Sequence, residues 1–99
     1  MNIQMIGEHL EITEAMHNYV QEKFQHLAVP EKLQNVEFRF GTEKNEHVVQ
    51  FKAHVANKDI HIKANAANAY SAIDLLMKKL HRSFTEIKDK KHIHIRKNI

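Results

Sequence analysis

The 99-residue chain has no cysteine, one proline and two glycines. Without cysteine there is no disulfide framework, no thiolate metal site and no cysteine nucleophile. Two glycines cannot build a glycine-rich phosphate loop, and no Gly/Ser stretch marks a linker. No apolar run approaches the ~18 residues of a membrane span. The start, MNIQMIGEHLEI, has neither a basic leader nor a long apolar segment, which predicts no secretory signal. Only Ser71 and Ser83 offer serine hydroxyls, and no motif sets either beside a histidine and a carboxylate. No carboxylate pair stands apart from ordinary surface acids. These absences predict a binding protein, not an enzyme, with no cofactor and the cytoplasm as default compartment.

What is present is an ordinary globular composition, 42% hydrophobic and 27% charged, sufficient for one core. The charge is unevenly placed. Between Met77 and Asn98 lie Lys78, Lys79, Arg82, Lys88, Lys90, Lys91, Arg96 and Lys97 against Glu86 and Asp89, a net of +6 in a chain whose total is +3. The remainder therefore carries −3. A clustered basic surface on a small domain is the footprint of a polyanion partner; a lysine-rich tail kept for solubility gives the same composition.

Asn2 to Ile6 has the pattern of a short strand. A helix follows, with Thr13 as N-cap, Glu14 in its first turn, and Met16, Tyr19, Val20, Phe24 and Leu27 at helical spacing before Pro30. Three segments then alternate with period two. Val36, Phe38 and Phe40 point one way; so do Val49, Phe51, Ala53 and Val55; so do Ile60, Ile62 and Ala64. This predicts an antiparallel sheet with one covered face. A turn at Lys44-Asn45 pairs Phe40 with Val49 and Phe38 with Phe51. A turn at Asn57-Lys58 pairs Val55 with Ile60 and Ala53 with Ile62. The last element is a helix from about Asn68, its N-cap, to about Lys88, with Tyr70, Ile73, Leu76, Met77, Leu80, Phe84 and Ile87 as its apolar stripe. The expected fold is α+β in the order β-α-β-β-β-α: a four-stranded mixed sheet whose first strand is parallel to its neighbour, with both helices on one face. Residues 1–91 are expected to form a single domain and residues 92–99 a basic C-terminal tail.

On the final helix, Lys78, Arg82 and Asp89 lie opposite the apolar stripe, flanked by Lys79 and Glu86. Leu75 points outward among them. Lys23 falls inside the apolar arc of the first helix, so its stem should be buried and its ammonium lifted toward a groove between the helices. Nine histidines raise a metal reading. His92 and His94 share one side if extended, and His54 would face His61 across the hairpin. Neither pair has a third ligand at recognisable spacing. Lys52 would also sit opposite Lys63, which disfavours a cation there. No metal site is expected.

Three stretches together resemble one family. EITEAMHNYVQEKFQHL is similar to the first-helix signature of the ribosome hibernation-promoting factors, also called ribosome-associated inhibitors or sigma-54 modulation proteins. GTEKNEHVVQFKAHV approximates their hairpin. NAYSAIDLLMKKLHRSF resembles their second-helix signature: an aromatic, then Ala-Ile-Asp, then Lys-Leu-x-Arg. The resemblance covers about residues 1–91. It implies a domain shaped like the double-stranded RNA-binding domains, seated on the small (30S) ribosomal subunit in the channel of messenger and transfer RNA. It also implies blocked translation and storage of inactive 70S and dimerised 100S ribosomes under stress or in stationary phase. The length resembles the short form, which lacks the family's dimerisation domain, and the protein is expected to be a monomer off the ribosome.

Carried over residue by residue, the resemblance makes Lys23, Lys79 and Arg82 RNA-binding, with Lys88 and Lys90 as a basic extension; Lys78 and Lys91 join them as neighbouring cations. The chain departs from the pattern at three positions. His17 and His26 stand where the family often has Arg or Lys, and Glu86 where it often has Lys. The two imidazoles remain RNA-binding candidates in their charged form, which a polyanion favours. Two other readings stay open: a generic binder of structured RNA, and a histidine-rich metal-binding protein.

Overall fold

The computed structural model describes the backbone of residues 2–97 and the side chains of residues 2–87. Helix α1 (Glu14–Gln25) begins where the sequence places its cap. Thr13 is extended, and its hydroxyl accepts from the Met16 amide at 3.1 Å, satisfying one of the donors that a helix start leaves free. Met16, Val20 and Phe24 are buried, with Tyr19 and Leu27 packed at the margin. The helix ends at Gln25, well before Pro30. His26 closes it by donating its amide to the Lys23 carbonyl at 3.3 Å, and the Leu27 amide donates to the Phe24 carbonyl at 3.0 Å.

The strands are β1 (Ile3–Gly7), β2 (Gln34–Glu43), β3 (Glu46–Val55) and β4 (Lys58–Ala66), in spatial order β1-β2-β3-β4. β1 runs parallel to β2, and the other pairs are antiparallel. The first hairpin has the register the hydrophobic pattern predicts, Phe38 against Phe51 and Phe40 against Val49. Its turn residues Lys44 and Asn45 both have positive φ (48° and 66°), as the tight two-residue turns that match strand twist require.

The second hairpin differs from expectation. Its turn is Ala56-Asn57, with φ of 48° and 65°, not Asn57-Lys58. Val55 now faces Lys58, Ala53 faces Ile60 and Phe51 faces Ile62. The shift is two residues along the partner strand, which leaves every side chain on its expected face. Alternation fixes parity and is blind to a shift of two. Asn57 tolerates the left-handed conformation at the second turn position, and that settles the choice. His54 therefore faces Asp59, and His61 faces Lys52. The expected His54–His61 and Lys52–Lys63 pairs do not form.

Helix α2 (Ala69–Lys97) is capped by Asn68, whose side chain accepts from the Ser71 amide at 2.9 Å and whose carbonyl accepts from the Ala72 amide at 3.1 Å. It continues past the expected end near Lys88. No glycine or proline interrupts residues 88–97, and lysine is a good helix former. α2 packs over β3 and β4 and against α1. Ile73, Leu76, Met77, Leu80 and Phe84 are buried as predicted, joined by Ala69 and Ala72. Tyr70 departs from the stripe and is 40% exposed. No helix among the described residues is long and apolar enough to cross a membrane.

The inward residues of β2, β3 and β4 meet both helices in one core. At its centre Phe51 and Phe38 stack edge-to-face (5.3 Å), with Phe24 of α1 and Phe84 of α2 each within 6.0 Å of Phe51. Burying a side chain of this size contributes about 1.5–3 kcal/mol. Four rings from two strands and both helices thus set the helix positions on the sheet.

Gly7 is held by a close approach rather than by its backbone angles. A Cβ there would run into the Leu10 carbonyl oxygen, which is backbone and cannot swing aside. Gly7→Ala should destabilise the fold by about 1–3 kcal/mol, lowering Tm by roughly 4–24 °C. At Gly41 the nearest atom to an added Cβ is 3.8 Å away, so Gly41→Ala should melt within a few degrees of wild type in the same thermal scan.

Candidate nucleic-acid interface

Once α2 buries its apolar stripe, its register dictates what faces out. Lys78 and Arg82, one turn apart, stand exposed opposite the stripe, with Leu75 (38% exposed) between them and the N-terminal end. Lys79 is exposed too, but it turns toward the sheet. Its ammonium donates to the Lys63 carbonyl of β4 at 2.8 Å. Lys63 lies in a pair that exchanges no backbone hydrogen bonds with β3, so this carbonyl faces the free side of β4. The sequence placed Lys79 beside Arg82 on an outward flank; the structure gives one of its three donors to the fold. Lys88, Lys90 and Lys91 ride on the α2 backbone, and their side chains lie outside the described residues.

Lys23 is exposed rather than buried along its stem. Its ammonium sits over the Tyr19 ring, 5.3 Å from the centroid, a favourable cation–π placement. The Tyr19 hydroxyl donates to Asp74 Oδ1 of α2 at 2.6 Å, and the Tyr19 ring meets Tyr70 of α2 edge-to-face at 5.2 Å. The hydrogen bond to Asp74 holds the Tyr19 phenol above its ordinary pKa, because ionising it would set two anions together. Lys23 is thus brought to the seam between the helices. His17 is half-buried on the flank of α1 opposite Tyr19, while His26 is exposed at the C-terminal end of α1. The structure therefore gathers Lys23, Lys78 and Arg82 on the helical layer and sets His17 apart from them.

Among the described residues, none of Lys23, Lys78, Lys79 and Arg82 enters an ion pair. The uncovered sheet face is the reverse. Arg39 bonds Glu8 at 2.8 Å and Glu37 at 3.2 Å, and Lys63 bonds Glu43 at 2.7 Å. The Arg39 hydrogen bond keeps the Glu8 carboxyl below its ordinary pKa, and Glu8 and Glu37 raise that of Arg39. Arg39 and Lys63 are thus neutralised locally on this face, where Lys52 stays exposed without an ion pair, whereas Lys23, Lys78 and Arg82 on the helices are all left to solvent.

Among the described residues the metal reading finds no geometry. His54 Nδ1 bonds Asp59 at 2.9 Å and His61 Nε2 bonds Gln50 at 2.7 Å. No cluster of three or more potential ligands exists among the described residues. His92 and His94 lie outside the described side chains.

A two-helix layer that turns lysine and arginine outward over a mixed four-stranded sheet defines a small α+β domain with an outward cationic surface. Residues 3–92 match the family described as sigma 54 modulation protein / S30EA ribosomal protein, and the chain belongs to that family. It is 36% identical over 91 residues to a ribosome hibernation promoting factor of Salmonella typhimurium, spanning 91% of this chain and 96% of that one. With the protein of the same name from Escherichia coli (strain K12), identity is 35% over the same shares. The fold is that of a ribosomal subunit interface protein from Coxiella burnetii (TM-score 0.83, 25% identity, 90% of this chain and 99% of that one). It is also that of the N-terminal domain of Protein Y from Thermus thermophilus (TM-score 0.75, 23% identity, 88% and 99%). The expectation of a binding protein rather than an enzyme agrees with this family.

Proposed function

We propose that this protein is a ribosome hibernation factor, which binds the small ribosomal subunit through RNA phosphates and stops translation by occupying the messenger and transfer RNA channel. The observation that carries this reading is the exposed Lys78–Arg82 ridge, without ion pairs among the described residues, on a chain of this family. Cations on a rigid helix neutralise phosphates and release their counterions. Arg82 can fork onto one phosphate, where lysine offers a point charge. Lys23 serves a second strand of backbone at the helical seam. Lys79 contributes through the donors that Lys63 leaves free, and Lys88, Lys90 and Lys91 continue the ridge. His17 and His26 add charge only when protonated. Residues 1–91 act as the binding unit and residues 92–99 as a basic extension. No bond is made or broken: inhibition is exclusion of substrates from filled space. The protein works in the cytoplasm, monomeric until it meets its target, and stabilises idle 70S particles and their 100S dimers.

Sucrose-gradient sedimentation with purified ribosomes tests this. The protein should travel with small subunits and 70S particles at low salt and leave them as salt is raised, with log affinity falling linearly in log salt. Excess plain RNA duplex should not displace it. Protein that stays at the top of the gradient at low salt, or that duplex strips from the subunits, would refute the reading; the latter result favours a generic RNA binder.

A further inference from the structure

Both tyrosines of the chain, which has no tryptophan, lie at one place: the seam between α1 and α2. Tyr70 is one of two large hydrophobic side chains left exposed among the described residues. It does not swing freely there. The perpendicular contact with Tyr19 fixes it, and Tyr19 is itself fixed by its hydrogen bond to Asp74. Tyr70 and Asp74 are one helical turn apart on α2 and so share a flank. Asp74 is exposed, with one carboxylate oxygen engaged by Tyr19. Each carboxylate oxygen accepts more than one hydrogen bond, so accepting capacity remains on both.

This group does not suit RNA backbone. A carboxylate repels phosphate, and a phenol ring offers it little. An aromatic ring suits the flat face of an unpaired base, which stacking proteins use without regard to sequence. A carboxylate beside that ring adds a preference, because it accepts only from N–H donors on the base edge. Guanine presents two adjacent donors there, N1–H and the N2 amino group, and can engage both oxygens. Adenine, cytosine and uracil each present fewer. Lys23, over the Tyr19 ring, supplies the cation for the phosphate that accompanies the base.

We infer that Tyr70 and Asp74, braced by Tyr19 and flanked by Lys23, form a notch for one unstacked guanine of the RNA partner. This rests on the RNA-binding reading above and adds to it a base-selective contact. It makes Tyr70 the stacking residue and Asp74 the specificity residue.

Intrinsic tyrosine fluorescence reports on this notch alone, since no tyrosine or tryptophan lies elsewhere. The full chain is titrated with the single-stranded RNA hexamers UUGUUU and UUUUUU, reading quenching and, with end-labelled RNA, anisotropy. The guanosine hexamer should quench and bind about tenfold more tightly than the uridine one. Tyr70→Leu should remove that advantage while Tyr19 still reports, Tyr70→Phe should keep it, and Asp74→Asn should bind both hexamers alike. The notch is overturned if wild type treats the hexamers equally, or if Tyr70→Leu still prefers the guanosine hexamer. Sedimentation with ribosomes is scored separately. Subunit binding without hexamer discrimination refutes the notch and leaves the ribosome reading intact; discrimination without subunit binding does the opposite.

Discussion

Replacing Lys78 and Arg82 together by glutamate should release the protein from small subunits, lowering affinity about 10²–10⁴-fold at constant salt. Each hydrogen bond to a charged group is worth about 1.5–3 kcal/mol, and the double variant loses two of them while adding repulsion. The salt dependence should change as well. With two fewer phosphates neutralised, the log–log slope should flatten by about 1.5. A merely unfolded variant would not behave this way, and unfolding is not expected: both side chains are exposed and enter no ion pair among the described residues. Their replacement should shift stability by no more than about 0.5 kcal/mol. Lys44→Glu with Lys52→Glu, on the hairpin turn and the uncovered sheet face, is the matched control; it changes net charge by the same amount and should bind as wild type does. Equal loss in the control would mean that net charge, not the ridge, governs binding. Unchanged sedimentation of the double variant would remove the ridge from the mechanism.

Phe51→Ala should cost about 3–5 kcal/mol of stability, a large share of the roughly 5–15 kcal/mol typical of a folded domain. Phe51 is fully buried and touches the ring layer of both helices through Phe24 and Phe84. No single neighbour can fill the space, because the surrounding rings belong to three different elements. Denaturant titration should therefore show a much lower midpoint with a similar slope. The effect on binding should follow from folding. At a temperature where the variant is still mostly folded, its affinity for subunits should fall only modestly. A variant that melts like wild type would mean that the four rings are not the keystone of the helix arrangement.

These outcomes bear on how far the chain could be understood before its shape was known. Strand parity was written in Val36, Phe38 and Phe40 and in Val49, Phe51, Ala53 and Val55, since one misplaced residue would send a phenylalanine into water. The pairing of β3 with β4 was not, because Ala53 meets an isoleucine in either of two registers. Backbone chemistry at Ala56-Asn57 decided it, and a non-glycine pair with positive φ is a weak signal in a sequence. Caps at Thr13 and Asn68 were visible because capping is local. The seam between the helices was hidden for the opposite reason. Tyr19 and Asp74 lie 55 positions apart, and nothing in either neighbourhood announces the other. Helical spacing assigned Tyr70 to the buried stripe, yet the same spacing is compatible with a residue at the rim. Lys78 and Arg82 were legible because a wheel suffices to find what opposes a core. Lys79 was not, because its partner is a main-chain oxygen, which has no residue type to read.

That contact of Lys79 has a consequence for solubility. The outermost strand of any open sheet offers its idle amides and carbonyls to whatever extended chain drifts past. Here a lysine from the overlying helix occupies one such carbonyl and leaves a full positive charge standing along the strand. A second molecule approaching to extend the sheet by one more strand would have to displace that ammonium and bring its own lysine up against it. The same side chain that lends charge to the helical layer therefore also discourages the fold from polymerising through its sheet.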